Sequence, residues 1–140
     1  MLRFGFSIVL IIHGLISGSQ ALGGFGKESV ELSNPSWVKW WPTQLGQSWL
    51  FAKAGSRDRL FSILTGILWL IAMAGFLATS LALFGFIQPV ELWKALATNS
   101  AIISLIVLLL YLHPLYLIGI LINIGILILI NVVHWSPIVK

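Results

Sequence analysis

The chain of 140 residues is 59% hydrophobic and 9% charged, far from the roughly half-apolar, quarter-charged mix of a soluble domain. Eight basic and four acidic side chains cannot coat a soluble particle of 15.4 kDa, and the mean hydropathy of +1.02 is that of a polytopic membrane protein. A water-soluble enzyme, a secreted disulfide module and a nucleic-acid binder are disfavoured together, and the absence of cysteine removes disulfides, thiolate nucleophiles and iron–sulfur ligation.

At the amino terminus, Arg3, the apolar run from Phe4 to Ile16 and the small residues from Ser17 to Ala21 imitate a secretory signal with its cleavage site. We read the segment instead as a first span, because the charge-free run over residues 4–26 is long enough to cross a hydrocarbon core about 30 Å thick. A second charge-free run from Leu60 to Val90 predicts a span over 60–86, with Gln88-Pro89 ending it. The third, from Ala95 to Val139, is too long for one crossing and suits two. His113-Pro114 sits where a break should fall, since proline lacks the donor a helix interior requires and restricts the residue before it. Spans over 95–112 and 115–133 follow, joined by a tight turn. The predicted fold is an all-α membrane protein, a single domain of four transmembrane helices. A β-barrel does not fit, because the apolar runs are continuous and do not alternate.

The segment between the first two spans is the most distinctive. Asn34 to Pro42 reads as a turn followed by a tryptophan cluster, with Trp37, Trp40 and Trp41 on one face at helical spacing until Pro42 interrupts. Residues 43–54 are predicted to form a short amphipathic helix with Leu45, Trp49 and Leu50 on its apolar side, Gly55 closing it and Ser56 capping the next. Residues 34–55 are thus expected to lie flat in the headgroup region as an amphipathic interfacial segment anchored by Trp37, Trp40, Trp41 and Trp49. A lid or docking surface for a partner or lipid is the alternative. Five of the eight basic residues, Lys27, Lys39, Lys53, Arg57 and Arg59, lie here among tryptophans, a membrane-interface pattern and not a nucleic-acid one. Orientation signals conflict. The basic-residue count favours this segment in the cytoplasm, whereas the flanks of the first span favour the termini there, toward which the balance leans slightly.

Polar groups within spans are costly and therefore informative. His13, Ser17 and Gln20 fall on one stripe of the first span, beside Gly14 and Gly18, a Gly-x-x-x-Gly pair that permits close helix contact. The expected role of His13 is a hydrogen bond to a neighbouring helix. A quinone, haem or chlorophyll contact and a proton relay are the functional alternatives. In the fourth span Asn123, Asn131 and His134 share a face, and Asn123, the deepest, must face protein or a cavity. Ala74 and Ala78 in the second span, and Ala97, Ser100, Ala101 and Ser104 in the third, mark further contact faces. The four carboxylates Glu28, Glu31, Asp58 and Glu91 all lie in loops, which disfavours a metal site. No nucleophile with a base, paired carboxylates or phosphate loop is evident, so no catalytic residue is assigned and an independent enzyme is not expected.

Ile12-His13-Gly14-Leu15, Gly66-Ile-Leu-Trp69 and Leu112-His113-Pro114-Leu115 resemble motifs of small bacterial four-helix membrane proteins and, more distantly, of DoxX-like proteins. In that pattern a second histidine follows His-Gly three residues later, where this chain has Ser17. The resemblance implies the four-helix fold and, for some DoxX-type relatives, company with quinone-linked sulfur oxidation. The leading expectation is a non-catalytic accessory subunit of a larger bacterial inner-membrane complex, in contact with the lipid bilayer and other membrane subunits and without a cofactor of its own. The alternatives are a DoxX-like redox component with a quinone or pigment against His13, and a small-molecule or lipid transporter using the polar faces of the first and fourth spans.

Overall fold

The computed structural model describes residues 1–25, 34–49 and 59–137. These form four helices that follow one another around an antiparallel bundle: α1 (Leu2–Phe25), α2 (Arg59–Phe84), α3 (Leu92–Leu110) and α4 (Leu117–Asn131). Each is long and apolar enough to cross a membrane, α4 together with the 3-10 turn Pro114–Tyr116 that leads into it. The start of α1 and the end of α4 lie at one end of the bundle, here the terminal end. The end of α1, the start of α2 and residues 34–49 lie at the other, the far end.

The helix boundaries depart from the charge-free runs for physical reasons. α1 and α3 begin earlier than expected and take in Arg3 and Lys94. The Arg3 guanidinium lies 5.7 Å from the Phe4 ring centroid and the Lys94 ammonium 5.9 Å from that of Trp93, so each charge reaches the rim while its stem covers apolar surface. α2 stops at Phe84 because Gly85, at φ +88°, turns the chain left-handed. Phe86 N–H then donates to the Leu81 carbonyl at 2.9 Å and Gly85 N–H to that of Ala82 at 3.0 Å, a Schellman closure that satisfies two end carbonyls. His113 adopts an extended conformation (φ −147°, ψ 145°), as a residue before proline should, and the chain reverses there.

The bundle interior mixes many small and polar residues with an apolar core around Leu10, Phe76, Leu83 and Trp93, and its exterior is apolar. Its buried positions include Ala72, Ala82, Ala97, Ala101, Ser7, Ser17, Thr79, Ser80, Ser100, Ser104 and Asn123, while Ile8, Ile12, Leu15, Leu64, Ile67, Ile71, Ile106, Leu121 and Ile128 are exposed. A water-soluble bundle has the reverse distribution; a bundle solvated by lipid chains uses small residues for close approach and hydrogen bonds for adhesion. A Cβ on Gly14 would stand 3.0 Å from that of Phe76, one on Gly18 would run into the Met73 side chain, and one on Gly75 into Ser100. Glycines thus set the α1–α2 and α2–α3 spacing.

The interfacial segment is where expectation and structure diverge. Among its described residues helix is limited to the 3-10 turn Ser36–Val38. The predicted amphipathic helix is absent over residues 43–49, and its continuation over 50–55, with Gly55 and Ser56, lies outside the described residues. Pro42 stops the preceding turn from propagating, and Gly46 at φ +86° bends the chain left-handed. The side-chain donors of this stretch instead bond to carbonyls of α3 and its following turn.

Candidate functional site: a polar ladder and its cap

His13 lies near the middle of α1 with 6% of its surface exposed, facing Asn123, which is fully buried on α4. Their Nε2 and Oδ1 atoms are 3.1 Å apart. The amide oxygen can only accept, so Nε2 carries the proton and donates. Asn123 Nδ2 in turn donates to Ser104 Oγ on α3 at 2.9 Å. One side of the imidazole packs edge-on against Phe76 of α2 with centroids 5.1 Å apart. Ser17, one turn on, donates to the His13 carbonyl at 2.8 Å. Side chains of all four helices therefore meet around one histidine.

Toward the far end the polar contacts continue. Tyr116 donates to Gln20 Oε1 at 3.0 Å, tying α1 to the start of α4. Thr65 and Tyr111 share a hydrogen bond of 2.8 Å between α2 and the end of α3.

The final layer closes α3. The last carbonyls of a helix have no partner within it. Trp49 Nε1 donates to the Leu109 carbonyl at 2.7 Å, Ser48 Oγ to that of Leu110 at 2.7 Å, and Trp41 Nε1 to Thr43 Oγ1 at 3.1 Å and the Leu112 carbonyl at 3.3 Å. Asn34 Nδ2 donates to the Thr43 carbonyl at 2.9 Å, which leaves its Oδ1 to accept from His113 Nε2 at 3.1 Å. His113 Nδ1 accepts from Leu115 N–H at 3.2 Å, so both ring nitrogens have fixed roles. Burial holds this imidazole below its ordinary pKa.

The predicted residues take distinct places. His13, Ser17 and Asn123 come together, Gln20 lies half-buried at the next level, and Gly14 and Gly18 face α2. Asn131 is exposed, donating to its own helix at the Leu127 carbonyl (3.0 Å) and reaching Thr98 at 3.4 Å. The four tryptophans do not act alike. Trp37 and Trp40 are 62% and 71% exposed, whereas Trp49 directs its indole N–H onto Leu109 of α3 and Trp41 onto Thr43 and the Leu112 carbonyl just past α3, acceptors that a flat interfacial helix would not meet. The three imidazoles lie at three depths: His13 mid-bundle, His113 at the far end, His134 past the end of α4. Among the described residues no group of three or more His, Asp or Glu converges. Asn34, Thr43, Ser48, Thr65, Tyr111 and Tyr116 escaped the sequence reading. The need to satisfy the last carbonyls of α3 was a signal for Ser48 alone, and no sequence signal marked the others.

The fold and the ladder together define a multi-pass membrane protein. No protein-family model matches the chain, and neither a curated protein nor a solved structure matches it at the significance expected of a relative.

Proposed function

We propose that this protein is a non-catalytic accessory subunit that packs into a larger complex of the bacterial inner membrane. One observation carries the reading: among the described residues every buried side-chain nitrogen and oxygen has a hydrogen-bond partner. The interior polar groups are committed to hydrogen bonds within and between the helices. The surface left for interaction is the apolar exterior, to which α4, the least buried of the four spans, contributes Ile118, Leu121, Ile124, Ile128 and Leu129. Such a surface meets lipid or another transmembrane helix equally well, since neither contact has an aqueous hydrophobic driving force. Extraction in a mild detergent followed by sizing tests this reading. A large co-purifying assembly is the expected result, and migration as a lone bundle contradicts it.

A redox component, as the DoxX-like resemblance implies, would place a quinone or pigment against His13. That imidazole already contacts Asn123 and Phe76, which favours the packing role. A bound chromophore that disappears in His13→Ala would reverse the preference. For a transporter, flux in liposomes would fall in Asn123→Leu.

A further inference from the structure

Residues 34–49 lie across the far end as a strap, bonded to the last carbonyls of α3 and to the turn after it. The outer surface of the strap takes no part in that closure. We propose that the turn over Ser36 to Trp41 forms on this surface a seat for the headgroup of an anionic phospholipid, with Lys39 and Ser36 taking the phosphate and Trp37 and Trp40 lying against the glycerol and upper acyl chains.

The winding of the turn sorts its side chains into three sides. Val38 N–H donates to the Pro35 carbonyl and Trp41 N–H to that of Val38, each at 2.9 Å, so the chain turns in steps of three and residues three apart lie on one side. Val38 is fully buried and Trp41 half-buried, and this side faces the bundle. Trp37 and Trp40 form a second side and Ser36 and Lys39 a third, both exposed. The wider α-helical spacing would have kept Trp41 with Trp37 and Trp40. The tighter turn takes it inward and leaves an aromatic pair beside a cation.

This arrangement suits a lipid better than a dissolved anion. Trp40 commits its indole N–H to the Trp37 carbonyl at 3.1 Å and packs edge-on against Trp41 at 5.3 Å, so what it presents outward is its ring. Such rings take the level between headgroups and acyl chains. The turn is also held in place before a lipid arrives: Asn34 is bonded to Thr43 and His113, and Trp41 to Thr43 and the Leu112 carbonyl. A preformed seat binds with less ordering cost. Charge then selects the headgroup. The α1–α2 link together with Arg59 holds five basic and three acidic residues, so a net positive charge remains on it however those residues pair. A phosphatidylglycerol headgroup brings only negative charge, whereas the ammonium of phosphatidylcholine offsets its phosphate and repels Lys39. The seat is independent of whether the bundle joins a larger complex.

The test uses the full-length protein in phosphatidylcholine vesicles that hold a small fraction of either phosphatidylglycerol or phosphatidylcholine brominated on the acyl chain near the glycerol. Bromine quenches nearby indoles. The emission of Trp37 and Trp40 is obtained by difference from a variant carrying Trp37→Phe and Trp40→Phe. Brominated phosphatidylglycerol is expected to quench it at a mole fraction about fivefold lower than brominated phosphatidylcholine, the effect of roughly one lysine at an anionic surface. Lys39→Arg should keep that preference and Lys39→Gln should lose most of it. Arg59→Gln removes the same charge from the same end of the bundle and should leave most of the preference in place. Equal quenching by the two lipids in the unaltered protein overturns the seat. An equal loss in Lys39→Gln and Arg59→Gln also overturns it, since a diffuse field would then account for the attraction. Quenching by neither lipid sets the two rings in water or against another protein surface, and overturns it as well.

Discussion

The two halves of the bundle solve the same problem in different ways. In the terminal half, buried hydroxyls fold back on their own helices. Ser7 donates to the Arg3 carbonyl, Thr79 to Gly75 and Ser100 to Leu96, each four residues earlier, and Ser80 alone divides its hydroxyl between Phe76 and Ser7 on α1. Adhesion there comes mainly from shape, with Asn131 reaching Thr98 at 3.4 Å between α4 and α3. Phe4 packs on Phe84, and Phe6 packs edge-on against both Trp93 and Trp135. In the far half Ser17 and Thr65 also reach back to carbonyls of their own helices, but side chains bond from helix to helix as well, through His13–Asn123–Ser104, Gln20–Tyr116 and Thr65–Tyr111, and residues 34–49 bond to the end of α3. Polar side chains in a span are thus not one category. A hydroxyl bonded four residues back is a small packing residue, whereas an amide or imidazole between helices fixes their register.

This contrast can be broken at several points, and the largest effect falls where spacing is set. Gly75→Leu would drive a branched side chain into Ser100 and force α2 from α3. Overpacking of this kind costs about 1–3 kcal/mol or more, and we expect little folded protein by size-exclusion chromatography. Next comes Asn123→Leu, which leaves the His13 N–H and Ser104 without their partner. Interhelical bonds in membranes contribute about 0.6–1.7 kcal/mol, so a drop of about that size is expected in unfolding followed by circular dichroism.

The strap contributes a pH dependence. Because the folded-state pKa of His113 is lowered, its contribution to stability is fully present above the unfolded value near 6.5 and is lost as pH falls below it. A stability-against-pH series should therefore slope downward on acidification, and less steeply in His113→Gln.

The smallest effects belong to the terminal half. Thr79→Val keeps the shape and removes only a bond to the residue's own helix, so a change within about 0.5 kcal/mol is expected. Gly5 has open space around it. Gly5→Ala should stabilise α1 by up to about 1 kcal/mol, measured in the same unfolding assay.

Much of this was legible in the sequence. Uncharged run lengths and His113-Pro114 gave four helices and the position of the last turn, because the bilayer requires continuous apolar segments whose ends are visible. The pairing of His13 with a neighbouring helix followed from the cost of leaving an imidazole alone in a span, although its partner could not be named from α1. The strap was not legible in the same way. Helical spacing of Trp37, Trp40 and Trp41 says nothing about the acceptors available at the end of α3, and those acceptors decide where Trp41, Ser48 and Trp49 go. Asn34 and His113 are 79 residues apart, and only the folded bundle brings them together.

The most direct test of the central claim is a double-mutant cycle on His13→Leu and Asn123→Leu, read as unfolding free energies in one detergent. Cross-helix polar bonding in the far half predicts that the two losses fall short of additive by about 0.6–1.7 kcal/mol. Strict additivity would mean that His13 and Asn123 are held independently, and the ladder would not be what joins α1 to α4.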